Sequence, residues 1–250
     1  MGETVLLTGA TGFLGRHTVR ALEESGWEVI RCVRAGVPHP ARAQSVECDL
    51  NDPAGLLALE PRYHPKAIVH LACHVGWDGS NDERLFVPNV LATGCFAHLA
   101  RVWGAKLIFA SAAIVHGSRC ERINSDSPVQ PDSPYGRSKA LGEALIQASG
   151  VEYSILRIAG MFGCDGPGHL GLNRAIDDPA RCLGAVDLCH RCLEAERLLG
   201  VCLLRRRQTE PAGGTVVDLV VDEHPLDRLA AGERLAEGDA MTGVFDRHPL

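Results

Sequence analysis

The chain has 250 residues, 46% of them apolar, and a formal net charge of −6. This length and apolar content allow one sizeable core, or one core with a small additional lobe. The acidic balance predicts that the protein does not bind nucleic acid, and the one basic run, Arg205–Arg207, is interpreted as a solvated cluster. We expect no membrane partner, because no segment approaches the ~18 apolar residues of a membrane-spanning helix.

The first residues and the cysteines indicate a reducing compartment. The opening MGETVLLTGA lacks the charged and long apolar regions of a secretory signal, so we expect a cytoplasmic protein. The ten cysteines are scattered along the chain, which favours free thiols. Cys189 and Cys192 have C-x-x-C spacing, but no second pair follows, and we therefore expect no metal.

Apolar segments alternate with segments of helical periodicity along the first two thirds of the chain. The six predicted strands are ETVLLT, WEVIRCV, SVEC, KAIVHLAC, AKLIFAS and EYSILRI. Helices are predicted over 13–25, over 83–103, and over 135–149 with Ser133 as N-cap and Pro134 in the first turn. This alternation predicts parallel βαβ units in a doubly wound sheet, the Rossmann class of α/β fold.

The composition changes after about residue 163. Phe245 is the only aromatic residue beyond Phe162, which predicts weaker packing. We therefore expect a Rossmann domain at residues 1–168 and a small, poorly defined C-terminal lobe at residues 169–250. Within that lobe AVDLCHRCLEAERLL and DRLAAGERLAE are predicted as helices and GTVVDLVV as a strand.

A glycine-rich turn, TGATGFLG, ends the first strand and opens the first helix. Gly9 would permit the tight turn, Gly12 the close approach of a pyrophosphate, and Gly15 the packing of helix on strand. The free N–H groups and the dipole at the start of a helix attract phosphate. Strand, turn and helix in this order predict a dinucleotide-binding site.

This segment resembles the T-G-x-x-G-x-x-G motif of the extended short-chain dehydrogenases/reductases, the group that contains the NAD-dependent epimerases and dehydratases. Five further segments match that group in order: CDL, IVHLAC, NVLATGC with Ala92 in place of a glycine, SPYGRSK and ILRIAGMFG. The resemblance covers about residues 3–168. It implies an enzyme that moves hydride between a nicotinamide cofactor and a hydroxyl or carbonyl carbon.

The residues at the end of the predicted second strand indicate NADP as the cofactor, with NAD as the second choice. NAD-binding folds usually place Asp or Glu there, to bind ribose hydroxyls, but the sequence has Val33 followed by Arg34. A guanidinium suits a 2′-phosphate, and Arg16 is placed to assist. The alternative is that both arginines are solvated surface residues. With those that the resemblance implies, the expected cofactor-binding residues are Gly9, Thr11, Gly12, Phe13, Leu14, Gly15, Arg34, Asp49, Leu50, Leu71, Ala72, Asn89, Tyr135 and Lys139.

Tyr135 and Lys139 are four residues apart on a predicted helix and therefore project from one face. In the resembled family the tyrosine exchanges a proton with the substrate, and the lysine anchors the nicotinamide ribose. A free phenol has a pKa of about 10. We expect the neighbouring ammonium and the charged nicotinamide to lower the pKa of Tyr135.

One position departs from the family pattern. The catalytic Ser or Thr lies five residues before the glycine of V-Y-G, and that position is Ala112. Ser111 is the candidate replacement, although neighbouring strand residues point to opposite sides. His116 is a second candidate, but we favour a structural role for it and for His70. Loss of a positioned donor typically costs about 10²–10³ in rate. A dinucleotide-binding module that acts through a partner therefore stays open beside an active enzyme.

The resemblance implies a small-molecule substrate, either a nucleotide sugar or a small ketone. In the resembled family the C-terminal lobe largely recognises the substrate. The corresponding part of this sequence is only faintly similar to that lobe, and it is interpreted as truncated or atypical. Members often dimerise through the helices that correspond to residues 84–102 and 134–149, so a homodimer is expected.

Overall fold

The computed structural model describes residues 2–37, 44–76, 82–120, 123, 127–161, 166 and 214–219. This part of the chain contains one seven-stranded parallel sheet in the order β3-β2-β1-β4-β5-β6-β7. The strands are β1 (Thr4–Thr8), β2 (Glu28–Val33), β3 (Ser45–Glu47), β4 (Ala67–His70), β5 (Lys106–Ala112), β6 (Tyr153–Ile158) and β7 (Thr215–Leu219). The predicted α/β class is confirmed.

Helices connect these strands. They are α1 (Phe13–Glu24), α2 (Pro53–Leu57), α3 (Asp82–Leu85), a π-helical segment (Phe86–Leu91), α4 (Ala92–Trp103), a 3₁₀ turn (Ala113–His116) and α5 (Pro134–Ala148). Of these, α1, α4 and α5 lie where helices were predicted, whereas α2 and the 3₁₀ turn were not predicted. Ser133 caps α5 as predicted, since its side chain accepts a hydrogen bond from Gly136 N at 3.1 Å. The predicted strand GTVVDLVV is present as β7, whereas the two helices predicted after residue 168, the Cys189–Cys192 pair and Arg205–Arg207 lie outside the described residues.

The long helix between β4 and β5 corrects two expectations. It is interrupted by the π-helical segment, where Pro88 has no N–H to donate to the helical ladder. The stretch Asp82–Trp103 is also long and apolar enough, by length and composition, to cross a membrane, which the sequence analysis had excluded for every segment. Its apolar character has a structural cause, because Leu85, Phe96 and Leu99 are completely buried inside the fold.

The core lies on both faces of the sheet. Alternate residues of each central strand point to opposite sides, as the period of two requires. One cluster packs the sheet against α4, and its members include Leu6, Ile68, Phe96, Leu107 and Ile155. The other packs the sheet against α1, and its members include Val5, Leu7, Val19, Leu22 and Val69.

The turn after β1 brings three backbone segments into contact. Gly9 has φ +75°, and a Cβ there would lie 2.9 Å from the Ala72 nitrogen, just beyond β4. A Cβ on Gly15 would overlap the Gly9 carbonyl oxygen. The glycines at these two positions therefore let α1 and β4 pack directly on the end of β1.

A directed chain of hydrogen bonds runs beneath this turn. Ala72 N–H donates to Thr8 Oγ1 at 3.1 Å, and the Thr8 hydroxyl lies 2.8 Å from His70 Nδ1. His70 Nε2 lies 3.1 Å from Thr93 Oγ1, whose own proton is donated to the Asn89 carbonyl at 2.7 Å. Because Thr93 donates to Asn89, His70 Nε2 must donate to Thr93, and in the neutral ring Nδ1 then accepts from Thr8. Burial, and secondarily the Lys139 charge, lowers the pKa of His70 to about 3. These contacts fit the structural role expected for His70.

We predict opposite effects for two helical glycines. Gly15→Ala destabilises the fold by about 1–3 kcal/mol, because its methyl group forces α1 away from Gly9. Gly94→Ala is the matched control: its Cβ meets only Leu145 Cδ1 at 3.6 Å, so helix propensity favours it by up to about 1 kcal/mol. Urea unfolding measures both variants, and equal effects at the two positions would contradict the packing described here.

We also predict acid-dependent stability from His70. Unfolded His70 binds a proton near the ordinary histidine pKa of ~6.5, whereas folded His70 stays neutral down to about pH 3. The stabilisation is therefore complete above pH ~6.5 and is lost as the pH falls, by about 2 kcal/mol at pH 5. Urea unfolding at pH 7.5 and at pH 5 measures this loss in the free energy of unfolding. The wild type and His98→Gln, the half-exposed control, should show the full loss, and His70→Gln should show a smaller one. If His70→Gln lost as much unfolding free energy between pH 7.5 and pH 5 as the wild type, the prediction would be contradicted.

Candidate active site

The described sheet has its switch point between β1 and β4, where the strand order reverses direction. Ligands of open α/β sheets bind in the crevice beyond the carboxyl ends of the strands at this point. One side of the crevice is the glycine turn, in which Gly12 N donates to the Gly9 carbonyl at 3.0 Å and Thr11 is exposed. Leu71 and Ala72, both half-buried, lie opposite after β4.

The other predicted residues of the turn lie in the first part of α1. Phe13 and Leu14 are half-buried, and the Phe13 ring packs edge-on against His17 with 5.2 Å between ring centroids. Gly15 is buried under the turn, and Arg16 is exposed. The backbone of this segment is thus held tightly on its inner side and accessible on its outer side, as a phosphate-binding turn requires.

The outer end of the crevice is formed by the residues that follow β2 and β3. Arg34 comes directly after β2 and is exposed, and Asp49 follows β3 and is also exposed. Asp49 accepts a hydrogen bond from the Asn51 backbone at 2.9 Å, and Leu50 packs against the core. Because β2 and β3 are adjacent and parallel, the structure brings Arg34 and Asp49 to one edge of the sheet.

Tyr135 and Lys139 lie in the first half of α5, on one face, as predicted. Tyr135 is half-buried, and its Oη lies 3.7 Å from Cys73 Sγ. Lys139 is buried, with Nζ 4.5 Å from the centroid of the Phe109 ring and 6.0 Å from that of Tyr135. The lysine therefore lies behind the tyrosine, with its ammonium over aromatic faces.

The electrostatics of this pair correct the expectation of a lowered tyrosine pKa. Burial raises the pKa of Tyr135, and the Cys73 thiol raises it further through its charge and its hydrogen bond. Burial also lowers the pKa of Lys139, although the charges of Cys73 and Glu143 oppose this effect. The ammonium that was expected to favour phenolate is thus outweighed by desolvation and by a neighbouring thiol that the sequence analysis had not considered.

Asn89 lies in the π-helical segment and is buried. Its Nδ2 donates to the His74 carbonyl at 2.8 Å and to Ser138 Oγ at 2.9 Å, and its Oδ1 accepts from His74 N at 2.7 Å. The side chain therefore ties the loop after β4 to α5. Its predicted contact with the cofactor stays a prediction.

Ser111 and Ala112 end β5. Ser111 is buried, and its hydroxyl donates to Glu143 Oε1 on α5. Glu143 also accepts three bonds from Arg157 on β6, two from Nε at 3.1 and 3.2 Å and one from a terminal nitrogen at 2.8 Å. The structure thus brings Ser111 to Glu143, and the catalytic role predicted for Ser111 stays a prediction.

His116 is part of the same buried network. Its Nδ1 donates to the Pro128 carbonyl at 3.0 Å, and its Nε2 lies 3.5 Å from an Arg157 terminal nitrogen. These contacts fit the structural role favoured for His116. Glu143 and Arg157 are nearly fully buried, and such a pair is tolerated because several hydrogen bonds satisfy both charges.

Sequence reasoning missed three residues of this region. The sequence could have indicated a buried ion pair at Arg157, because a charge inside the otherwise apolar strand YSILRI requires a buried partner. Glu143 follows Lys139 by four residues and thus shares its face of α5. Cys73 stands where the resembled family commonly has the last alanine of H-L-A-A. No group of three or more potential metal ligands occurs within the described ranges.

Comparison with known proteins is consistent with this geometry. The curated relatives include methionine adenosyltransferase 2 subunit beta of Xenopus tropicalis, 30% identical over 65% of this chain and 48% of that protein. They also include dTDP-6-deoxy-L-talose 4-dehydrogenase (NAD(P)(+)) of Kitasatospora kifunensis, 31% identical over 72% and 60%. The chain spans about half the length of the first of these relatives.

A solved structure shares both fold and part of the sequence. UDP-glucose 4-epimerase of Thermus thermophilus, in complex with NAD, is 27% identical with a TM-score of 0.58, over 68% of this chain and 59% of that one. Residues 5–184 match the model of the NAD dependent epimerase/dehydratase family. The chain therefore belongs to the NAD-dependent epimerase/dehydratase family.

Proposed function

We propose that this protein is an NADP-dependent oxidoreductase or epimerase that moves hydride at a hydroxyl or carbonyl carbon of a nucleotide sugar, with a small ketone as the alternative substrate. The observation that carries the proposal is the position of Tyr135 and Lys139 on one face of α5, beside a glycine turn that has no room for side chains on its inner side. Nucleotide sugars are favoured because two of the similar proteins are named for their action on dTDP- and UDP-sugars.

The residues present fit a dinucleotide. The turn is exposed on its outer side, and no side chain caps the first backbone N–H groups of α1, so these groups can donate to a diphosphate; Arg34 offers a guanidinium to a ribose 2′-phosphate. Asp49 is accessible at the same edge for the adenine. When bound, the nicotinamide would supply or accept the hydride. NADP is preferred over NAD because the residue after Val33 is a cation and not a carboxylate.

Tyr135 would move the proton that accompanies the hydride. Its raised pKa keeps the phenol protonated at neutral pH, so Oη is ready to donate to a carbonyl oxygen as that carbon is reduced. In the opposite direction the substrate hydroxyl would have to yield its proton to a phenolate, which this environment disfavours. Lys139 lies behind the Tyr135 ring and contributes positive charge near it.

A second candidate function is a dinucleotide-binding subunit without turnover. Two observations favour it. Position 112 has no hydroxyl at the end of β5, and relatives about 30% identical are named as the beta subunit of methionine adenosyltransferase 2. In this case the crevice would hold the cofactor, and the function would be exerted on a partner protein.

A homodimer is proposed for either function. Four large apolar side chains are exposed on the π-helical segment and on α5, at Phe86, Leu91, Leu141 and Leu145. Burial of such side chains against a second copy would remove apolar surface from water. This is the pair of helices through which the resembled family often associates.

For the cofactor, we predict that NADPH binds more tightly than NADH in calorimetric titration. Arg34→Ala should weaken NADPH binding by about 10–100-fold, the value of a charge-assisted hydrogen bond, and leave NADH binding nearly unchanged. Arg20→Ala is the control, since Arg20 is an exposed arginine of α1 that pairs with Glu24. Equal affinity for both reduced cofactors in the wild type would contradict the NADP preference.

For the chemistry, we predict that Tyr135→Phe lowers kcat by about 10²–10⁴-fold while cofactor affinity is retained. Tyr63→Phe, a half-buried tyrosine packed against the core, should retain kcat. Because the phenol stays protonated, the reduction rate should remain constant from neutral pH into the alkaline range. A screen of sugar nucleotides and ketones, followed by nicotinamide absorbance, measures both effects. Cofactor binding without any turnover in the wild type would favour the subunit function.

A further inference from the structure

Cys73 lies at the point where the site departs from its family. Cys73 lies in the loop just after β4, and Ala112 ends the neighbouring parallel strand β5. The thiol and the position of the missing hydroxyl thus follow adjacent strands at the same edge of the sheet. Its Sγ lies 3.7 Å from Tyr135 Oη, within hydrogen-bonding distance for sulfur.

The other candidates for that hydroxyl are engaged elsewhere. Ser111 donates to Glu143, and His116 is held by the Pro128 carbonyl and by Arg157. Cys73 is half-buried and directly follows Ala72 at the mouth of the crevice. Like the half-buried Tyr135, it therefore lies between the core and the ligand-binding edge.

We propose that Cys73 is a positioning residue for Tyr135, and that its thiol replaces the hydroxyl missing at position 112 as the group that holds Tyr135 Oη. The catalytic part of this inference rests on the proposed function, in which Tyr135 transfers the proton. The contact itself does not depend on the identity of the substrate.

The chemistry of the pair gives it a direction. Burial raises the pKa of Tyr135, and Cys73 raises it further through its charge and its hydrogen bond, so the contact opposes the formation of phenolate. Within the part of the chain that the structure describes, the charge nearest to Tyr135 on its own helix is that of Lys139, and Glu143 in turn acts on Lys139. Cys73 thus keeps Tyr135 as a proton donor.

Titration of the tyrosines tests the pair in the whole chain, without cofactor or substrate. The chain has three tyrosines, and comparison with Tyr135→Phe identifies the Tyr135 transition in the ultraviolet absorbance of tyrosinate. Cys73→Ala should move that transition to lower pH by about one unit, because both the charge and the hydrogen bond are lost. Cys73→Ser, which keeps the hydrogen bond but stays neutral, should give an intermediate shift.

Cys95→Ala is the matched control, because Cys95 is also half-buried but its thiol contacts the Pro53 carbonyl at 3.9 Å. It should leave the Tyr135 transition unchanged. Cys73→Ala introduces the residue that the resembled family commonly has there, so we expect it to fold. If Tyr135 ionised at the same pH in folded Cys73→Ala as in the wild type, the proposal would be overturned.

Activity provides the second measurement. Where a substrate is turned over, Cys73→Ala should lower kcat about 10-fold with little change in KM, and Cys73→Ser should restore most of the rate. An unchanged kcat in Cys73→Ala would overturn the positioning role even if the titration shifts. A shifted titration in a protein that turns over no substrate would show that the pair exists and that the proposed enzymatic function, not the contact, has failed.

Discussion

The site depends on the close approach of three backbone segments at the end of β1. Gly9 faces Ala72 across the switch point, and Gly15 lies directly on the Gly9 carbonyl, so that no side chain separates α1, β1 and β4. This contact aims the first turn of α1 along the crevice. It also explains why glycine is needed twice here for packing within the protein, before any phosphate is considered.

A series of buried hydrogen bonds connects this turn to α5, the helix that carries Tyr135 and Lys139. The hydrogen bonds from Ala72 through Thr8, His70 and Thr93 reach the backbone of Asn89, whose side chain then bonds to Ser138 on α5. Every donor in the series has an acceptor, which is the condition under which buried polar groups stabilise a unique arrangement. The distance between the glycine turn and Tyr135 is therefore set by buried bonds and not by loops.

A second buried network joins Ser111, Glu143, Arg157 and His116. It engages Ser111 and His116, the two residues that the sequence offered as replacements for the missing hydroxyl. The family's chemistry, if retained, is left to a tyrosine, a buried lysine and a thiol. Such a site favours proton donation, because burial and the contact with Cys73 both raise the pKa of Tyr135. Under the proposal made for Cys73, the departure at Ala112 is compatible with membership of the epimerase/dehydratase family.

Local patterns in the sequence were sufficient to predict the α/β class, strands β1 to β6, the positions of α1, α4 and α5, the Ser133 cap, and the shared face of Tyr135 and Lys139. These features follow from short-range rules: alternation in strands, helical spacing and capping chemistry act within a few residues of one another. The tertiary structure alone decided that Cys73 meets Tyr135, 62 residues away, and that Ser111 bonds to Glu143, 32 residues away. It also decided that the apolar helix Asp82–Trp103 covers a sheet, and that burial raises the tyrosine pKa. Contacts of this kind depend on which strands become neighbours and how deeply a side chain is buried, and neither is encoded in local spacing.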